Sequence, residues 1–383
     1  MNKYFAESEL IINGDGSIFH LHLKPEHLAD KIILVGDPGR VSLVASHFTD
    51  IEEEVENREF RTVTGRYKGK RITVQSTGIG CDNIDIVVNE MDALANIDFA
   101  TRTEKPEFRQ LTFVRIGTCG GLQMYTPTGT FVASQKSIGF DGLLNFYAGR
   151  NEVCDLEFEK AFKAHMNWNP QLCDPYTVDA DKELLDRIAQ DDMVRGVTIA
   201  CGGFFGPQGR ELRIPLADPK QNEKVENFTY DGLHITNFEM ESSAVAGLSK
   251  LMGHKALTCC LVIANRRVKE ANTGYKNTID QLIVKKYRTV FHFLLELAGD
   301  LSADLTVVDL QRAIKTDLVF IFHRLIHLEI PWLKGRHIPH SHFGGIRQMG
   351  NVHLVHLISS KTHLAVISII ISAGHRLHGV AVL

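Results

Sequence analysis

Short apolar runs closed off by Gly, Pro or Asp recur along the chain up to Ala264. Lys31 to Val35 precedes Gly36-Asp37-Pro38, Arg71 to Gln75 precedes Ser76-Thr77-Gly78, and Thr112 to Ile116 precedes Gly117-Thr118-Cys119-Gly120-Gly121. Val194 to Ala200 and Ala256 to Ala264 continue the series. Runs this short, bounded by turn-forming residues, predict buried strands ending in small-residue loops. Between them, apolar positions follow helical spacing in Val41 to His47, Asn83 to Asn96, Leu156 to Met166, Lys182 to Gln190 and Met240 to Met252. Alternating strand and helix predicts an α/β domain, with ligands gathering at the carboxyl ends of the strands. Glu59 to Arg66 and Arg71 to Gln75 flank Tyr67-Lys68-Gly69-Lys70, which reads as a hairpin turn. Ile97 to Gln110, with Arg102, Glu104, Lys105, Glu107 and Arg109, reads as an exposed charged loop.

Composition narrows the class. The 383 residues suffice for one large α/β domain or two smaller ones, and a formal net charge of -4 gives no whole-chain footprint for nucleic acid. Any phosphate binding is therefore local. The N-terminus lacks the charged-then-apolar plan of a secretory signal, and seven cysteines, an odd number, read as reduced thiols. Both point to a cytoplasmic protein. No Cys pair has zinc spacing, and the apolar stretch Leu364 to Ala373 is too short to span a bilayer, so neither a structural metal nor a membrane is expected.

Four segments carry candidate chemistry. Gly202-Gly203-Phe204-Phe205-Gly206-Pro207-Gln208-Gly209-Arg210 sets two aromatic rings ahead of an amide and a guanidinium. A ring face, one donor with one acceptor, and a fixed fork of donors suit a flat, acceptor-rich base such as uracil; the bland alternative is a glycine-rich loop whose Arg pairs with a surface carboxylate. Gly36-Asp37-Pro38-Gly39-Arg40 lies between strand and helix, so backbone N–H groups and Arg40 could hold a phosphate, unless the segment is a plain turn. Arg115 stands one residue from the end of an apolar strand and needs an anion, either a phosphate, with Thr118 and open glycine amides beside it, or an internal Asp or Glu. Phe238-Glu239-Met240-Glu241-Ser242 reads as a helix start whose two acids face different ways. One of them could accept both hydroxyls of a ribose while Met240 packs on sugar or base; alternatively both acids only favour the helix dipole. His20 and Arg58, taken alone, read as structural residues. No GxxxxGK[ST] sequence is present, so a nucleoside-triphosphate cradle is not indicated.

In order, GDPxR, REF, STGIG, RIGTCGG, FFGPQGR and FEMES resemble the uridine phosphorylases of the nucleoside phosphorylase superfamily over about residues 17 to 297. The resemblance implies a mixed, strongly twisted central sheet wrapped by helices, and a pentosyltransferase that cleaves uridine or deoxyuridine with inorganic phosphate as co-substrate. Gly36, Arg40, Arg115 and Thr118 would bind phosphate, with Arg58 reaching in from a partner subunit. Glu241 and Met240 would hold the ribose, the partner's His20 would meet its 5′-hydroxyl, and Phe204, Gln208 and Arg210 would hold the base. Arg210, Gln208 and Arg115 would be catalytic, in a homodimer or hexamer with shared sites. No organic cofactor is implied. A potassium ion at the dimer interface near Glu59 is a family feature.

Purine-cleaving relatives place an acid after the later core strand; here Leu261-Val262-Ile263-Ala264-Asn265-Arg266 carries none, which disfavours a purine nucleoside phosphorylase or nucleosidase. A nucleoside-binding protein without catalysis is the remaining alternative. The base loop reads Gly-Pro-Gln-Gly-Arg where bacterial enzymes of the group often read Pro-Gly-Gln-Glu-Arg, and the charged segment at Ile97 to Gln110 is longer than theirs, which leaves the preference among uridine, deoxyuridine and thymidine open.

Residues 1-297 thus read as a nucleoside phosphorylase domain and 298-383 as an extension of different character. From Lys286 onward there are 10 Lys+Arg against 6 Asp+Glu, cysteine ends at Cys260, and 11 of 18 histidines fall between His292 and His378. The helix altered from Lys286 and this change of composition suggest read-through or a shifted frame. The cluster His337, His340, His342 lacks a matched carboxylate or thiol for a metal site.

Overall fold

The computed structural model describes residues 3–190 and 192–271, together with three short strands at 347–349, 352–355 and 369–372. The chain divides into two units, Met1–Leu301 and Ser302–Leu383. In chain order the first unit contains β1 (Lys31–Val35), α1 (Pro38–Ala45), β2 (Asp50–Asn57), β3 (Phe60–Tyr67), β4 (Lys70–Ser76), α2 (Cys81–Asn96), β5 (Ile97–Asp98) and β6 (Thr103–Glu104). There follow β7 (Thr112–Gly121), β8 (Phe131–Gly139), α3 (Arg150–Val153), α4 (Leu156–Met166), β9 (Tyr176–Asp179), α5 (Lys182–Ile188) and β10 (Val194–Ala200). The unit continues with α6 (Gln221–Asn227), β11 (Thr229–Tyr230), β12 (Leu233–Glu239), α7 (Ser242–Leu251), β13 (Lys255–Asn265) and β14 (Glu270–Ala271).

Most strands join one mixed sheet in the order β11-β12-β10-β8-β13-β7-β1-β4-β3-β2. An extra antiparallel pairing, Asn237 with Gly121 and Phe238 with Gly120, ties β12 back to β7 and closes five strands into a ring. This is the mixed α/β sheet that the motif order implies. Apolar side chains on both faces of β1, β7 and β13 explain their continuous apolar runs, since Ile32, Leu34 and Phe113 pack on one core cluster and Ile33, Val35, Val114 and Ile116 on another. The hairpin at Lys68-Gly69 has positive φ at both residues (48° and 76°), as a tight two-residue turn requires.

Three sequence expectations need correction. Gly117 to Gly121 is not a loop: β7 runs through it, because its backbone pairs with β13 across a bulge and with β12. Those amides belong to the ladder and do not form an open nest. Phe238 and Glu239 close β12, and the helix begins only at Ser242. Ile97 to Gln110 is not a free loop, since β5 and β6 pair there, Arg102 Nη1 donates to Leu10 O (2.7 Å), and Lys105 Nζ donates to Leu94 O and Ala95 O (3.1 and 2.9 Å).

In the second unit, Arg347–Met349, Val352–Val355 and Ile369–Ser372 pair antiparallel. The altered helix at Lys286 and the His337, His340, His342 cluster lie outside the described residues. All seven cysteines are free thiols. Among the described residues no helix is long and apolar enough to cross a membrane.

Candidate active site

Parallel pairing puts Val35, Ser76 and Ile116 side by side, so the loops that follow β1 and β4 and the distal half of β7 emerge at one end of the sheet. Thr77 N donates to Val35 O (2.8 Å), and a Cβ on Gly36 would lie 3.4 Å from Gly78 O. Asp37 caps α1 by accepting from Gly39 N (2.9 Å), which uses one of the N–H groups a phosphate would otherwise find. Arg40 follows on the first turn of that helix.

Arg115 is buried on β7 and holds two carboxylates at once. Its Nη2 pairs closely with Glu241 Oε2 and its Nη1 lies 3.1 Å from Glu239 Oε2. Of the two partners open to Arg115 from sequence, internal acids are therefore present. Burial alone would lower the guanidinium's pKa, but the Glu241 and Glu239 carboxylates outweigh it and hold the group above its ordinary value. Arg115 Nε is buried without a partner. Gly117 makes this geometry possible: an added Cβ would sit 2.5 Å from Arg115 Nη1. Glu241 Oε1 accepts from Gly80 N (2.8 Å), which brings the STGIG loop against the acid. Met240 stands half-buried just before it, and Thr118 is half-buried two residues beyond Gly117's neighbour Ile116 on β7.

A second cluster forms around the base loop. Gly206–Gln208 is a single 3-10 turn that buries Gln208 while Phe204 and Phe205 stay exposed. The Arg210 guanidinium lies over the Phe204 ring, 3.6 Å from its centroid. Its Nη1 donates to Gln208 Oε1 (2.6 Å) and to Phe204 O. Arg266, just past β13, donates from Nη1 to Gln208 O (2.7 Å) and from Nη2 to Gln208 Oε1 (3.3 Å). Burial, and then the neighbouring Arg266 charge, lower the Arg210 pKa to about 10, so it stays protonated at neutral pH. This cluster lies against the distal half of β7: a Cβ on Gly120 would lie 3.9 Å from Arg266 Nε and 4.0 Å from Arg210 Nη2. A cavity of about 950 Å³ adjoins the loop, with Phe205 and Arg210 in its wall but neither Arg115 nor Glu241.

His20 and Arg58 form a third group. Glu90 on α2 accepts from His20 N (3.0 Å), Leu21 N (2.8 Å) and His20 Nδ1 (2.6 Å). A carboxylate can only accept, so Nδ1 is the donor in this contact. Arg58, at positive φ (56°), sits 5.9 Å from the Phe19 ring centroid, and Asn57 Nδ2 donates to His20 O (2.7 Å). None of these contacts reaches Arg115 or Arg210. At the position implied for a potassium ion, Glu59 O accepts from Ser76 Oγ (2.7 Å) and the Glu59 side chain is exposed.

Sequence reasoning missed Arg266, Glu239's contact with Arg115, and Gly80. Arg266 was visible as a charge at the end of an apolar strand, the same signal that singled out Arg115. The matching model of the Phosphorylase superfamily covers residues 30–295. The chain belongs to that superfamily. Among superfamily relatives, a uridine phosphorylase of Thermococcus kodakarensis is 29% identical over 279 residues, covering 70% of this chain and 85% of the relative. A purine nucleoside phosphorylase of DeoD type from Bacillus velezensis is 23% identical over 73% of this chain and 97% of its own length. A solved Trypanosoma brucei nucleoside phosphorylase, described as showing uridine phosphorylase activity, superposes with a TM-score of 0.67 at 28% identity, over 75% of this chain and 99% of its own.

Proposed function

We propose that this phosphorylase catalyses the reversible phosphorolysis of uridine, giving uracil and ribose 1-phosphate. The observation that carries the reading is the base cluster, in which two guanidinium groups and the Gln208 amide converge beside the exposed Phe204 ring. Two guanidinium groups beside an amide make a donor-rich cluster that suits the oxygens of uracil. Where purine-cleaving relatives carry an acid, this chain has Asn265, whose Nδ2 is spent on Gln123 O (2.9 Å) and Thr126 O (2.7 Å), and Arg266.

In the reaction, a phosphate oxygen bonds to C1′ as the C1′–N1 bond breaks with its electron pair passing to the base; the uracil anion then takes a proton from water. Arg210, Arg266 and Gln208 stabilise the charge that develops on the pyrimidine. Arg40, Arg115 and the partner's copy of the Arg58 position hold the phosphate beside Gly36 and Thr118, lowering the entropic cost of bringing it to the sugar. Glu241 accepts the ribose hydroxyls, Met240 packs on the sugar, and His20 of a second copy offers Nε2 to the 5′-hydroxyl. The working unit is thus at least a dimer. No step depends on a metal, and the free thiols suit a cytoplasmic enzyme. We further propose that residues 298–383 lie outside the catalytic domain, in keeping with a family match that stops at residue 295.

Incubating the full chain with uridine, with and without phosphate, and following products by chromatography tests the reading. Uracil and ribose 1-phosphate should form only with phosphate. Cleavage without phosphate would instead indicate a nucleosidase, and binding without turnover a nucleoside-binding protein.

A further inference from the structure

Glu239 has no part in the reaction as proposed, yet four donors converge on its buried carboxylate. Glu241 N (2.9 Å), Ser242 N (3.0 Å) and Ser242 Oγ (2.6 Å) donate to it from the chain ahead, and Arg115 Nη1 approaches to 3.1 Å from β7. Helix α7 starts at Ser242 with Glu241 at its N-cap position, and the Glu241 side chain makes no capping bond. A helix start leaves N–H groups unsatisfied, and an acid at the N-cap ordinarily turns inward to accept them. Here Glu239, reaching forward from the end of β12, accepts from the N-cap residue's own N–H and from the first N–H of the helix, Ser242 N. The Glu241 carboxylate is left facing Arg115 and Gly80 N.

We propose that Glu239 is a positioning residue for the sugar site: it caps α7 and anchors Arg115, so that Glu241 is presented to the vicinal hydroxyls of the ribose. All four contacts are donors, so the clamp belongs to the ionised carboxylate. Burial pushes the Glu239 pKa up to about 7, with Arg115 opposing the rise and Glu241 adding to it. The other titratable groups near it include Asp141, which accepts from Ser243 Oγ (3.0 Å), and the thiols of Cys81 on α2, Cys119 on β7 and Cys201 after β10; burial raises all three thiols well above their ordinary value, so they stay neutral. The clamp therefore closes as pH rises through neutrality and opens below it.

The inference rests on the uridine reading, and its test separates the two. Glu239→Gln and Ser242→Ala are made in the full chain. Uridine affinity is measured by calorimetry without phosphate from pH 5.5 to 8.5, so that phosphate's own ionisation does not enter, and kcat/KM is measured for uridine and 2′-deoxyuridine. A neutral amide has one acceptor oxygen where the carboxylate has two and no charge to face Arg115, so it cannot hold all four donors, and Glu239→Gln should weaken uridine binding by about tenfold or more, the scale of a hydrogen bond to a charged group. It should also narrow the preference for uridine over deoxyuridine and remove the rise in affinity near pH 7. Ser242→Ala, which removes one donor to the ionised form, should move that rise to higher pH with a loss of only about threefold. An active wild type whose Glu239→Gln variant keeps the sugar preference and the pH dependence, even at uniformly lower activity, overturns the inference alone. A wild type inert toward uridine and phosphate overturns the proposed function and the inference with it.

Discussion

Replacing Arg210 by Ala tests the base cluster at the guanidinium that links Phe204 to Gln208. The change removes a guanidinium stacked 3.6 Å from the Phe204 ring centroid and its 2.6 Å bond to Gln208 Oε1. It also frees the Gln208 amide, which then has only Arg266 to orient it. Losing one preorganised donor to a developing anion costs about 3–4 kcal/mol, or roughly 10² to 10³ in rate. The lost cation–π contact adds about 0.5–1 kcal/mol at a half-exposed site, and this part acts on loop order in the free enzyme as well. Together they predict a fall of about 10² to 10³ in kcat/KM for uridine, mostly in kcat, with the KM for phosphate held within about threefold because Arg115 and Arg40 are untouched. Arg210→Lys should recover only a small part, since it restores charge but neither the fork nor the stacking plane. Steady-state kinetics with each substrate varied in turn reads all of this. A variant within threefold of wild type for uridine would refute the assigned base contact, and a loss expressed only as a higher phosphate KM would move Arg210 to the other subsite.

Further outcomes follow from the same geometry. Gly117→Ala puts a methyl group 2.5 Å from Arg115 Nη1, against a guanidinium that two carboxylates pin in place. It should lower thermal stability by about 1–3 kcal/mol and weaken phosphate use at least tenfold, read by thermal unfolding and kinetics; wild-type behaviour in both would show that the Arg115 side chain is not held where it is described. Glu239 titrates near 7 when folded against 4.5 as its unperturbed value, so its contribution favours folding most fully below pH 4.5 and is lost as pH rises through 7. Denaturation from pH 5 to 8 should show a fall in stability in the wild type that Glu239→Gln lacks; parallel curves for the two proteins would rule out this contribution. Limited proteolysis should trim the chain to a core ending near residue 297 that still cleaves uridine, whereas a compact resistant fragment spanning Ser302 to Leu383 would show that the extension folds.

The parts of this molecule legible in its sequence are those set by local pattern. β1 and β10 coincide with the apolar runs at Lys31–Val35 and Val194–Ala200, and the loops carrying Gly36 and Gln208 follow such strands. What escaped depends on partners distant in sequence. β2, Asp-Ile-Glu-Glu-Glu-Val-Glu-Asn, has no apolar run because it is the outer strand of the sheet and is matched by arginines on its neighbours, with Glu54 to Arg61 at 2.6 Å and Glu52 to Arg66 and Arg71 at 2.8 and 2.5 Å. Glycines 117, 120 and 121 read as loop because glycine disfavours strands in general, while here they give the Arg115 guanidinium room and bring β12 onto β7. Glu239 read as one of two acids on a helix start, since only the fold reveals that it ends a strand and reaches forward to cap the helix it precedes.

The most direct test of the central claim is a competition in one vessel: equal uridine and inosine, saturating phosphate, the full-length chain, and chromatographic quantitation of uracil and hypoxanthine over time. Uracil should accumulate with ribose 1-phosphate while inosine persists. Hypoxanthine forming as fast as uracil would contradict a base site built on Gln208, Arg210 and Arg266.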